Sequence, residues 1–175
     1  LRDQLAAFVV DKGNDHTGLG RWSWYQVEGE PGHKTYVITA YAPCGNAKVG
    51  DHTVYKQQER FIQEKGLKTN PKALFRDDLL QVLRRWRGQG DRVILIMDAN
   101  ENVLHGPMCK QLAKEDLNMR EVVHSMTPGA GPKTWFRGSE AIDGIWVSSD
   151  IEVIRASYLP FDGSLWDHRP VMADL

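Results

Sequence analysis

The run Val93-Ile94-Leu95-Ile96-Met97 is apolar at consecutive positions, so an extended chain there turns apolar side chains to both sides. Such a strand is stable only inside a sheet covered on both faces. Asp98 follows directly, which places a carboxylate at the end of a central strand. Ahead of the strand, Asn70 is a good N-cap and Pro71 a good first helical residue. Phe75, Leu79, Val82, Leu83 and Trp86 then recur at helical spacing and form one apolar stripe. Arg84, Arg85 and Arg87 complement the dipole of the last turn, and Gly88 and Gly90 supply the stop.

The remaining segments fill out a layered domain. Ala6 to Val10 reads as a buried strand closed by the turn-rich Asp11 to Asp15. Trp22 to Val27 and Thr35 to Tyr41, joined by Gly29-Glu30-Pro31-Gly32, read as an antiparallel hairpin. Val54 to Lys65 is expected to be a helix, and Pro107 to Asp116 and Asn118 to Ser125 shorter ones. Strands are expected over Thr134 to Phe136, Ile142 to Val147, Ile151 to Ser157 and Pro170 to Ala173. Two packed sheets flanked by helices, an α+β class, accommodate this order. Neither repeats nor linkers interrupt it, so residues 1–175 form one domain.

Composition narrows the partners. A formal charge of −1 gives no general attraction to a polyanion, so a nucleic acid would need clustered cations or a bound metal. Cys44 and Cys109 are too few for a disulfide framework and lack zinc-site spacing, so they read as reduced thiols of an intracellular protein. No apolar run reaches the roughly 18 to 20 residues that span a bilayer, and no membrane partner is expected. The chain opens Leu1-Arg2-Asp3 without a signal-peptide pattern and without Met, so a processed or excised segment is expected.

Three polar constellations sit at expected strand ends. Asp98-Ala99-Asn100 offers a carboxylate and an amide to one cleft, although Asx residues also begin turns for local reasons. Asp143 opens an apolar strand, where a carboxylate wants a partner unless it faces solvent. Asp167-His168 joins a ligand and an acid/base group before the last strand, and a solvated loop is its plain alternative. Tyr41 ends a strand ahead of Pro43, where a phenol can donate to a phosphate oxygen or simply pack with its hydroxyl wet.

Taken in order, strand-Tyr, strand-Asp-x-Asn, Thr-Trp, Ile-Asp-x-Ile and Asp-His-x-Pro resemble the endonuclease/exonuclease/phosphatase superfamily from about Arg21 to Leu175. Gly20 to Trp24, Thr39 to Tyr41, Gln57-Gln58, Asn70-Pro71, Met97 to Glu101 and Gly138 to Gly144 look like endonuclease domains of reverse-transcriptase-encoding mobile elements. The resemblance implies a four-layer α/β/β/α sandwich and a metal-dependent phosphodiesterase, most simply an endonuclease cutting DNA. It implies that Asp98 orients or deprotonates the attacking water, and that Asn100 holds that water and a phosphate oxygen. Tyr41 would contact the scissile phosphate, and Asp143 would orient His168, which stabilises the phosphorane or moves a proton. Asp167 and Asp98 would bind Mg²⁺, with Mn²⁺ as a substitute. Nuclear residence would follow from the mobile-element likeness.

The superfamily's first-strand Asn and its metal-binding Glu belong upstream of the segment matching Leu5 to Asp11. The fold is therefore expected without its first strands, with an exposed sheet edge open to self-association. Trp166 stands where relatives carry a small residue, and is read as a stacking side chain or as sheet packing. Arg137 reads as a phosphate contact or a surface ion pair. Two other functions stay open: the same site acting on a small or lipid phosphoester, and a catalytically impaired domain that binds nucleic acid or a partner.

Overall fold

A computed structural model describes residues 7–29, 32–45, 50, 52–129, 131–161 and 166–175. Its main element is a six-stranded sheet in the order β1-β2-β3-β4-β6-β5. The strands are β1 (Val9–Asn14), β2 (Trp22–Glu28), β3 (Lys34–Tyr41), β4 (Arg92–Asp98), β5 (Met119–Glu121) and β6 (Asp143–Ser148). β3 and β4 run parallel, and every other neighbouring pair is antiparallel. The parallel pair needs a crossover, which α1 (Val54–Glu64) and α2 (Pro71–Gly88) provide. A second sheet pairs β7 (Arg155–Tyr158) with β8 (Val171–Asp174). The short helices α3 (Pro107–Leu112) and α4 (Val122–Met126) complete the described elements. The class is α+β, as expected.

Strand alternation explains the layers. Val93, Leu95 and Met97 are buried and belong to one core cluster with Phe75, Leu79, Leu80, Leu83 and Trp86 of α2. The Tyr36 ring stacks on Trp86 at 4.0 Å and 8°, and Trp24 meets the same indole edge-on at 5.5 Å. The apolar stripe of α2 is as expected, except that Leu80 is fully packed while Val82 sits at its margin. Asn70 caps α2 by accepting from the Ala73 N–H at 3.0 Å.

The opposite sheet face carries Ile94, Ile145 and Val147, which pack against Ala156, Val171 and Ala173 of the small sheet. That cover is partial: Val10 and Ile96 on the main sheet are 51% and 41% exposed. A groove of about 910 Å³, lined in part by Val10, Ser23, Tyr25, Val37 and Thr39, lies on the main sheet.

Local sequence misled in several places. The first strand is Val9–Asn14, half-buried to exposed, and runs through the residues expected to turn; Ala6 lies outside the described residues. Pairing with β2 from Asp11 to Asn14 overrides their turn chemistry. Gly13 is needed there, because a Cβ would stand 2.6 Å from Trp24 Cζ2. Met119–Glu121 is a strand on β6 rather than the start of a helix, and the Glu121 carboxylate caps α4 by accepting from the His124 N–H at 2.8 Å. Residues 134–136 form no strand; Trp135 makes an isolated bridge to His168. α3 ends at Leu112, and β7 begins only at Arg155. In the β2–β3 hairpin the register runs from Trp22↔Ala40 to Glu28↔Lys34, with Glu30 and Pro31 of its turn outside the described residues.

Candidate active site

Tyr41, Asp98 and Asp143 occupy one rung of the main sheet. Tyr41 is the parallel partner of Asp98 across β3 and β4, and Asp143 its antiparallel partner across β4 and β6. Side chains on one rung leave the same face of a sheet, so three separate segments deliver a phenol and two carboxylates to one place. The backbone fastens this end: Ala42 N donates to Asp98 O at 2.9 Å, and Ala99 N to Ile142 O at 2.8 Å.

His168 enters from the loop before β8. Its Nδ1 lies 2.9 Å from Asp143 Oδ2, the geometry of an imidazole N–H donating to a carboxylate. One donor atom from each of Asp98, Asp143 and His168 lies within 4.8 Å of the others. The expected metal pair was Asp98 and Asp167. The cluster found includes Asp98, whereas the Asp167 carboxylate accepts from the Trp135 indole N–H at 3.3 Å and is exposed.

Asn100 has a φ of 45°, the left-handed region that Asn tolerates better than most residues. Its N–H donates to Asp98 Oδ1 at 2.9 Å, and its side-chain amide donates to Ala42 O at 2.7 Å. The turn chemistry of Asp-x-Asn and its placement at the site are therefore the same fact. The Tyr41 side chain is 42% exposed, and its partial burial raises the phenol pKa, a rise that the nearby Asn100 amide opposes.

Electrostatics mark Asp98 out. Burial raises its pKa to about 6; the Asn100 N–H and His168 oppose the rise, and the nearby Asp143 charge adds to it. Burial lowers the His168 pKa, but its bond to Asp143 and the charges of Asp143, Asp98 and Asp167 outweigh this and raise it. A carboxylate reluctant to ionise beside a second one fits a hard divalent cation bound by oxygen donors. Asp98 and Asp143 are the residues that would hold it.

Sequence reading missed the residue that positions Asp143. Thr134 is fully buried, and its Oγ1 accepts from the Ile142 and Asp143 N–H groups at 2.8 and 3.0 Å. Its only sequence signal was its place before Trp135. Thr134→Val is expected to cost about 1–3 kcal/mol, since it strands these donors. Thr134→Ser keeps the acceptor and most of the stability. Urea midpoints of the two variants would test this, and equal losses would contradict it.

Lys72 also comes to the site, its ammonium donating to Asn100 O at 3.4 Å. Glu101 is structural, accepting from the Met108 N–H at the start of α3. Trp166 is 74% exposed rather than packed on the sheet. Arg137 is exposed and makes no ion pair with a described residue.

No protein-family model matches the chain, and no curated protein sequence does. Solved structures do. The catalytic domain of human nocturnin matches at 20% identity and a TM-score of 0.59, covering 95% of this chain and 60% of that one. The 3′ phosphatase NExo from Neisseria, bound to a product DNA hairpin, matches at 17% and 0.58, covering 89% and 64%. An endonuclease/exonuclease/phosphatase from Bacteroides vulgatus matches at 13% and 0.60, covering 94% and 64%. At these identities the likeness establishes the fold. The chain spans less than two thirds of the length of each.

Proposed function

We propose that this chain carries the hydrolytic centre of a metal-dependent phosphodiesterase that nicks DNA, as an endonuclease of the kind encoded by reverse-transcriptase-bearing elements. The observation that carries it is the Tyr41–Asp98–Asp143 rung closed by His168. The fold shared with a DNA-bound phosphatase supports the substrate class, and the sequence resemblance supports the mobile-element setting.

Two things slow phosphodiester hydrolysis: the anion repels water, and the departing alkoxide is a poor leaving group. Asp98, poised near neutrality, holds the attacking water and accepts its proton. His168, whose pKa Asp143 raises, sets its charge when protonated against the charge that builds on phosphorus oxygens and passes its proton to the departing alkoxide. The Tyr41 phenol and the Asn100 amide orient the phosphate, and Arg137 and Trp166 reach the flanking nucleotides. Mg²⁺, replaceable by Mn²⁺, would neutralise charge at Asp98 and Asp143, with Asp167 as a further oxygen donor.

No described helix is long and apolar enough to cross a membrane. Nuclear residence belongs to the same proposal.

The test is nicking of supercoiled plasmid with Mg²⁺, with EDTA and His168→Ala as controls. Metal-dependent nicking should appear and fall by about 100-fold or more in the variant, the usual loss for a removed acid/base group. Undiminished nicking by His168→Ala would contradict the assignment. Turnover of a lipid headgroup ester with none of DNA would move the same chemistry to another substrate.

A further inference from the structure

Beside the hydrolytic centre lies a group of rings and cations that the chemistry above does not use. Phe136 is 61% exposed, and its ring meets Phe161 edge-on at 5.9 Å and 89°. Lys133 Nζ stands 5.3 Å from the Phe136 centroid, and the Arg169 guanidinium 4.4 Å from that of Phe161.

These cations are held by backbone rather than by acids. Lys133 Nζ donates to Phe136 O at 2.6 Å, while Arg169 Nε donates to Lys133 O at 3.1 Å and Nη1 to Leu159 O at 2.9 Å. Neither is engaged by a described carboxylate, so their charge is available to an anion.

The group also shares its backbone with the site. Phe136 N donates to Asp167 O at 2.8 Å, Trp135 bridges to His168, and Arg169 N donates to Thr134 O at 2.6 Å. Whatever stacks on Phe136 is therefore held in register with His168.

We infer that Phe136 and Phe161, flanked by Lys133 and Arg169, form a stacking platform for an unpaired nucleobase, so that the preferred substrate is a strand whose base beside the cut is not in a duplex. The inference rests on the proposed nuclease function and adds the substrate's state of pairing. An aromatic ring next to cations recognises a π-face and its neighbouring phosphate together. In a duplex, stacking and pairing hide that face, whereas an unpaired base offers it. The exposure of Phe136 also makes it a poor contributor to the core, so its removal separates binding from folding.

The test compares equilibrium binding of fluorescent probes in EDTA, a short oligothymidylate against its duplex with oligoadenylate and against an otherwise identical oligomer of abasic units. Wild type should prefer the unpaired base-bearing strand, and Phe136→Ala should lose roughly 5- to 150-fold of affinity for it, the range that one base–aromatic stack supplies. Affinity for the abasic strand should stay unchanged in that variant. Phe136→Trp should restore the preference, and the urea midpoint of Phe136→Ala should match wild type. Equal affinity of wild type for the oligothymidylate and either other probe, or a preference that survives Phe136→Ala, overturns the platform while plasmid nicking by wild type stands. Binding of none of the probes overturns the platform, whereas the nucleic-acid substrate itself is decided separately by plasmid nicking in Mg²⁺.

Discussion

Asp98→Asn is expected to abolish metal-dependent nicking and, in the absence of metal, to make the fold more stable. The first effect, about 100-fold or more, follows from losing the carboxylate that holds and deprotonates water. The second follows from the pKa of Asp98, raised from 3.8 to about 6 chiefly by burial. Because the folded chain holds this proton more tightly than the unfolded chain, stability falls as pH rises from the lower value to the higher. Above about pH 6 the ionised group carries the full penalty, and below about pH 4 it carries none.

Asn has no charge to desolvate and still accepts from the Asn100 N–H, which reaches Asp98 Oδ1 at 2.9 Å. A gain of about 1–3 kcal/mol is therefore expected near pH 7.5, after allowance for the part of the group that water still reaches. Urea unfolding in EDTA at about pH 7.5 and about pH 4.5 would measure it, with the gain smaller at the lower pH. Adding Mg²⁺ should stabilise wild type alone, because the ion binds the ionised carboxylate. A variant less stable than wild type at neutral pH would mean that Asp98 is paired in the fold rather than strained.

The second large effect concerns the helix layer. Trp86→Ala is expected to cost about 3–5 kcal/mol, a sizeable share of the roughly 5–15 kcal/mol that keeps a domain folded. Trp86 is 2% exposed, stacks on Tyr36 and receives the edge of Trp24, so it ties α2 to β2 and β3 together. Trp86→Phe keeps a ring for the stack and should cost less. Urea midpoints at constant slope would show this, and a loss below about 1 kcal/mol would mean that the neighbours close over the cavity.

The effects meet in one architecture. α2 and the Trp86 cluster fix one face of β3 and β4, and the rung at the far ends of those strands is where Tyr41 and Asp98 align. Losing the helix layer would therefore misplace the site, whereas losing the charge of Asp98 relaxes it.

Some of this was already written in the chain. The apolar run from Val93 to Met97 dictated a central strand with Asp98 at its end, although its second face is only partly covered and leaves Ile96 41% exposed. The stripe and cap of α2 were equally legible, since helix periodicity and capping are short-range properties. Asp143 and His168 were legible as candidates from where they stand relative to strands, though not as a bonded pair.

Tertiary structure alone decided the rest. The pairing of Asp98 with Asp143 depends on antiparallel register between strands distant in sequence, and no local pattern encodes it. The buried ion pair of Arg21 and Asp15, at 2.6 Å, was invisible because only the folded loop between β1 and β2 brings the two together, and its extension to Asp78 because α2 packs there. So was the role of Thr134, whose hydroxyl matters only once Asp143 is brought to it. Asp11 to Asn14 show the converse, since turn-favouring residues became an edge strand when a partner satisfied their backbone. Periodicity and strand-end chemistry are local, so the sequence by itself determined the elements and the candidate residues. Register, loop closure and burial are properties of the packed whole, and they decided which candidates meet.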